Sequence, residues 1–274
     1  MSDKGMKIAV SGKGGVGKTS LSSLLAHIFA QEGKQVLAVD ADPDANFGTA
    51  LGFPQDILDK LTTIAEDKKL IKERTGAEPG KTGQVFSLNP LVSDIPEKYA
   101  VEHNGIKLMR MGNVVTGGAG CACPENSLLK QLLRHLVVKA DETVIVDMEA
   151  GLEHLGRGTA EGVDAFIVVV EPGQRSFQTA RAVVKLAQDL GVTKVYAVAN
   201  KVRSGDEEII KKSLDFIPIL GIMPYDPELI SADLSGAGVF HSALKSVEFA
   251  YKIYERLLEE MTNTEENGNL TFRK

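Results

Sequence analysis

Residues 12–19 read Gly-Lys-Gly-Gly-Val-Gly-Lys-Thr and satisfy the G-x-x-x-x-G-K-[ST] pattern of a phosphate-binding loop. The chemistry uses each part. Gly12, Gly14, Gly15 and Gly17 let successive backbone N–H groups turn inward around phosphate oxygens, while Val16 and Ser20 complete the loop and the first turn of a helix whose dipole favours an anion. Lys18 is expected to reach the β- and γ-phosphates, and the Thr19 hydroxyl to ligate Mg²⁺. A glycine-rich turn that binds nothing has no need of the full pattern between a strand and a helix. The expected ligand is a nucleoside triphosphate, ATP with Mg²⁺.

Acidic residues sit where such a loop needs them. Asp40, Asp42 and Asp44 follow the apolar run 36–39, and carboxylates so spaced beside a triphosphate suit Mg²⁺–water coordination and the orientation of an attacking water. Asp147 closes Val144-Ile-Val as a Walker B-like acid. A strand-ending Asp is often only a helix cap, and its spacing behind the loop favours the metal role here.

Lys13 is not required by an ordinary phosphate loop. With it, 13–19 resembles the deviant Walker A group, which includes nitrogenase iron protein, septum-site and chromosome-partitioning ATPases and cytosolic iron–sulfur carriers. That resemblance implies a nucleotide-gated homodimer in which Lys13 crosses to the partner's nucleotide, as an arginine finger does; a solvated loop charge is the plainer alternative. It further implies that Asp42 positions the water, that Asp40 supports the metal shell, and that Gly151, ending 148–151, swings toward the γ-phosphate. By the same resemblance Asn200, Lys201 and Pro224 sit where relatives contact adenine.

The two cysteines, Cys121 and Cys123, lie on a glycine-rich segment just ahead of a helical pattern. Thiolates at i and i+2 can grip one metal but leave a four-coordinate ion half satisfied. The implied homodimer supplies the other half, giving a symmetric four-thiolate site on the two-fold axis. Thiolates suit Zn²⁺, Cu(I), iron–sulfur clusters and Ni²⁺; a redox pair and two inert small residues are the alternatives.

A closer resemblance follows from several segments together: 13–19, 39–44, Arg110-Met-Gly112, Gly117-Gly, Cys121-x-Cys123-x-Glu125-Asn126-Ser127, Asp147-Met-x-Ala-Gly151 with His154, and Asn200-Lys-Val-Arg203. They resemble the nickel-insertion ATPases of the CooC/AcsF type, across nearly the whole chain. The resemblance implies Ni²⁺ (Zn²⁺ in its place) bound between subunits by Cys121 and Cys123, with ATP hydrolysis coupled to metal delivery. The client is carbon monoxide dehydrogenase or acetyl-CoA synthase, with the wording Cys-Ala-Cys-Pro and Asp-Met-Glu-Ala-Gly leaning toward the synthase.

The elements that must position these residues alternate in type. Strand patterns fall at 7–11, 35–40, 106–111, 143–147, 165–170, 194–199 and 216–219, and helix patterns at 19–32, 55–74, 126–138, 176–190 and 206–213. Runs such as 165–170, apolar throughout, suit strands buried on both faces of a parallel sheet. The expected fold is α/β, a single doubly wound domain over 1–274 with a mostly parallel central sheet, a P-loop NTPase of the deviant Walker A type. Residues 75–104 read as an elaborated connection and 262–274 as a flexible tail. Phe240, Ala243, Leu244, Val247, Tyr251, Tyr254, Leu258 and Met261 read as one helical face packed on the sheet.

Composition narrows the classes. The chain has 274 residues, 43% hydrophobic, a formal net charge of −6 and only two cysteines. These values exclude a disordered or disulfide-built protein and fit a cytoplasmic one without a secretory signal. Neither the charge nor the apolar pattern suits a nucleic-acid or membrane partner. The rival functions are an iron–sulfur carrier or ATP-gated electron donor, which would be brown after anaerobic purification, and a partitioning or positioning ATPase, which would sediment with DNA or lipid.

Overall fold

The computed structural model describes residues 5–79, 81, 83–112, 123–136, 140–149, 163–189 and 191–270. Among them the strands are β1 (Met6–Gly12), β2 (Gln35–Ala41), β3 (Val101–His103), β4 (Ile106–Arg110), β5 (Glu142–Met148), β6 (Ala165–Val170), β7 (Val195–Val202) and β8 (Ile219–Pro224). The helices are α1 (Lys18–Gln31), α2 (Phe47–Ala50), α3 (Gln55–Leu58), α4 (Lys68–Thr75), α5 (Ile95–Tyr99), α6 (Cys123–His135), α7 (Gln174–Asp189), α8 (Glu207–Ser213), α9 (Pro227–Ser235), α10 (Val239–Ser242) and α11 (Leu244–Leu270).

The strands form one sheet in the order β3-β4-β2-β5-β1-β6-β7-β8. Every pairing is parallel except the β3–β4 hairpin. All six residues of β6 are buried, as a strand covered on both faces requires. One face packs under α1, α10 and α11 through Leu21, Leu25, Phe29, Phe240, Ile253 and Leu257. The other packs under α4, α6 and α7 through Ile71, Leu128, Leu132, Phe177 and Val184. This is the doubly wound α/β architecture expected from the alternating pattern, with a mostly parallel sheet.

Three local expectations need correction. The helix pattern at 55–74 is broken into α3, a 3₁₀ turn at Ile64–Glu66 and α4. Asp67 starts the second helix anew, its side chain accepting from Leu70 N at 2.9 Å, and Ala65 N is tied instead to Met111 O. The last strand lies at Ile219–Pro224 rather than 216–219. Gly221 and Pro224 interrupt the apolar run there, and β8 is the sheet edge, where a proline is tolerated. The final helix begins at Leu244, which is 69% exposed, and its buried stripe is Ala250, Ile253, Tyr254 and Leu257. Phe240 lies in α10 and Ala243 is its carboxyl cap. The stripe does pack on the sheet side, and no described helix is long and apolar enough to cross a membrane.

Candidate functional site

The site sits at the carboxyl ends of the central strands, on either side of β1. Because β1 lies between β5 and β6, its following loop opens into the crevice where the strand order reverses. Gly17 caps α1 in the left-handed region (φ 95), and a Cβ there would collide with the Asn200 side-chain amide. Asn200, 3% exposed, donates from Nδ2 to Val16 O at 2.9 Å and accepts Lys201 N on Oδ1 at 2.8 Å. Lys201, itself in the left-handed region (φ 58), donates from Nζ to Gly15 O at 2.5 Å. The pair at the end of β7 therefore braces the phosphate loop from behind.

The acids lie directly beneath the loop. Thr19 Oγ1 donates to Asp147 Oδ2 at 2.7 Å and Ser22 Oγ to Asp147 Oδ1 at 3.0 Å. Burial pushes the Asp147 carboxyl up to about 6, against the pull of the Thr19 hydroxyl and the Lys18 ammonium. Asp40 is held at about 7, by burial first and then by Asp147. Its oxygens accept from Asp42 N and Phe47 N at 3.3 and 3.2 Å, which fixes the turn leading to α2. Asp42 turns the other way, its Oδ2 lying 3.5 Å from Lys18 Nζ. A hydroxyl among carboxylate oxygens is the donor set of a hard divalent cation, so Mg²⁺ fits at Thr19.

A cavity of about 350 Å³ opens beside the loop. Gly14, Gly15, Gly17, Lys18, Thr19, Ser20, Asp42, Asn200 and Lys201 line it. Pro224 closes β8 and is not among the lining residues; Tyr225, Asp226, Leu229, Ile230 and Asp233 form that wall instead. The sequence does carry a signal for them, since Asp226-Pro227 is a helix N-cap followed by proline at the first helical position. Gly12, Val16, Asp40 and Asp147 stand behind the cavity rather than on it. Lys13, 41% exposed at its side chain, lies 4.0 Å from Glu171.

Of the cysteine motif, Cys123 opens α6, while Cys121 lies outside the described residues, as do Gly151 and His154. Glu125 in the first turn of α6 is buried, and its Oε2 has no hydrogen-bond partner among the described residues. Ser127 and Gln131 tie the helix to 87–89 through Ser87 O, Leu88 O and Asn89 Oδ1. Among the described residues no cluster of His, Cys, Asp and Glu forms a metal site.

A phosphate loop of this type on a doubly wound parallel sheet defines a P-loop ATPase of the deviant Walker A class. The CobQ/CobB/MinD/ParA nucleotide binding domain family matches residues 7–239, and the chain belongs to it. The chain is similar to the carbon monoxide dehydrogenase accessory protein CooC of Rhodospirillum rubrum, at 45% identity over 95% of this chain and 99% of that one. An uncharacterized ATP-binding protein of Methanocaldococcus jannaschii is 44% identical over 84% of this chain and 90% of its own. In structure the fold matches MinD in the MinC:MinD complex of Aquifex aeolicus, with TM-score 0.65, 20% identity and coverage of 93% and 96%. A ParA family ATPase of Chlorobium tepidum matches at TM-score 0.65 and 19% identity, covering 92% and 98%.

Proposed function

We propose that this chain is an ATP-dependent nickel-insertion factor for a carbon monoxide dehydrogenase or acetyl-CoA synthase, working as a cytoplasmic homodimer. The observation that carries the reading is the end-to-end likeness to a carbon monoxide dehydrogenase accessory protein. The C-x-C pair Cys121 and Cys123 adds the thiolates such a task needs.

The geometry of the loop supports the following roles. The loop amides and Lys18 would hold the phosphates, and Thr19 with Asp147 behind it would hold Mg²⁺, which would supply positive charge against the phosphate oxygens. Lys18 and Asp42 are ion-paired at 3.5 Å, so phosphate competes with Asp42 for the ammonium. Released, the Asp42 carboxylate is the acceptor that orients the attacking water. Lys13 reaches the partner's nucleotide, and Cys121 and Cys123 of both protomers take Ni²⁺ as cargo. ATP shifts the dimer only through its different affinities for the closed and open arrangements.

The test is an anaerobic Ni²⁺ titration followed by absorption, wild type beside Cys121→Ser. A cysteine-dependent thiolate–nickel band saturating at one metal per dimer is expected. No uptake, or an iron-and-sulfide chromophore in its place, overturns the reading.

A further inference from the structure

We infer that Glu171 is a positioning residue that latches Lys13 to its own subunit until nucleotide-driven dimerisation pulls it away. The sheet makes the juxtaposition. Gly12 at the end of β1 is paired with Val169 of β6, and Val170 of β6 with Ala199 of β7. Lys13 and Glu171 therefore leave β1 and β6 beside Lys201, the penultimate residue of β7. Glu171 Oε1 lies 4.0 Å from Lys13 Nζ and Oε2 lies 4.0 Å from Lys201 Nζ.

The backbone of Glu171 is held in place from behind, because Glu171 N donates to Ser176 Oγ at 3.1 Å and Ser176 is buried. Lys201 is fastened separately to Gly15 O, so of the two cations Lys13 is the one with freedom to leave. Its side chain is 41% exposed and that of Glu171 32%, which places the pair in the regime of exchangeable ion pairs. A phosphate from a second copy of the chain, carrying more negative charge than one carboxylate, competes for the same ammonium. The latch suppresses dimerisation without nucleotide and leaves the loop's own phosphate contacts untouched.

This inference rests on the reading of Lys13 as the residue that acts across the dimer. The experiment is sedimentation velocity of the full chain with Mg²⁺ and a non-hydrolysable ATP analogue, for wild type, Glu171→Gln, Glu171→Asp, Lys13→Ala and the double variant Lys13→Ala/Glu171→Gln. An exposed ion pair holds its partners by a factor of about two to five, and one latch opens in each protomer, so the dimer constant falls about four- to twenty-fivefold in Glu171→Gln. Glu171→Asp keeps the charge and stays near wild type. In the Lys13→Ala background the Glu171→Gln change has no effect. If Glu171→Gln dimerises as wild type does while Lys13→Ala dimerises less, the latch is wrong and the trans-acting lysine stands. If Lys13→Ala leaves dimerisation unchanged, the lysine reading fails and the latch with it.

Discussion

Lys7, 3% exposed at the start of β1, donates from Nζ to Leu133 O at 2.8 Å, near the carboxyl end of α6. Burial lowers its ammonium from the usual 10.5 to about 8, with Asp164 opposing. Between about 8 and 10.5 the unfolded chain holds a proton that the folded one has lost, so stability rises with pH across that window. Below it the ammonium is charged in both states and its contribution is constant. Lys7→Met is expected to be neutral or stabilising by about 1 kcal/mol at pH 7, and to abolish the rise; urea denaturation at pH 7 and 9.5 measures both. Asn200→Ala removes the brace behind the loop. It is expected to cost about 2 kcal/mol of stability and to weaken binding of a fluorescent ATP analogue, where wild-type affinity would show that the loop holds itself.

At the level of elements, much of the architecture is legible because buried parallel strands announce themselves as apolar runs, and 165–170 is read to the residue. The phosphate loop is legible because its parts are contiguous. The brace is not, since Asn200 and Val16 are 184 positions apart and only strand order brings them together. β3 lies at the end of the expected connection 75–104, although Asn104-Gly105, both at positive φ (49 and 77), is a turn pair that signals its hairpin with the expected strand at 106–111. The 227–235 wall of the cavity escaped because its apolar residues Leu229, Ile230, Ala232 and Leu234 are spread around the helix instead of along one face, leaving only its cap and proline as signs. α11 seats on β8 at Gly221, where a Cβ would stand 2.5 Å from Ile253 Cγ1. Gly221→Ala is expected to force the helix outward and cost about 1–3 kcal/mol, read as a lower melting temperature.

For the molecule as a whole, ligand binding and folding are linked, because the cavity is walled by residues from 14 to 239 and exists only in the folded chain. ATP with Mg²⁺ at a hundred times its dissociation constant is expected to stabilise the protein by about 2.7 kcal/mol, a rise of roughly 5–10 °C in melting temperature. Lys18→Ala should lose that rise, and a thermal melt with and without nucleotide decides it. The strand order also sets a timetable for synthesis. β1 leaves the ribosome first, yet its two sheet neighbours begin only at Glu142 and Ala165. At about 5–20 residues per second the phosphate loop waits on the order of ten seconds for a sheet to join, and longer for Asn200 and the 225–239 wall. A nascent chain therefore carries its nucleotide motif from the outset without the means to use it, and a truncated product cannot draw on ATP.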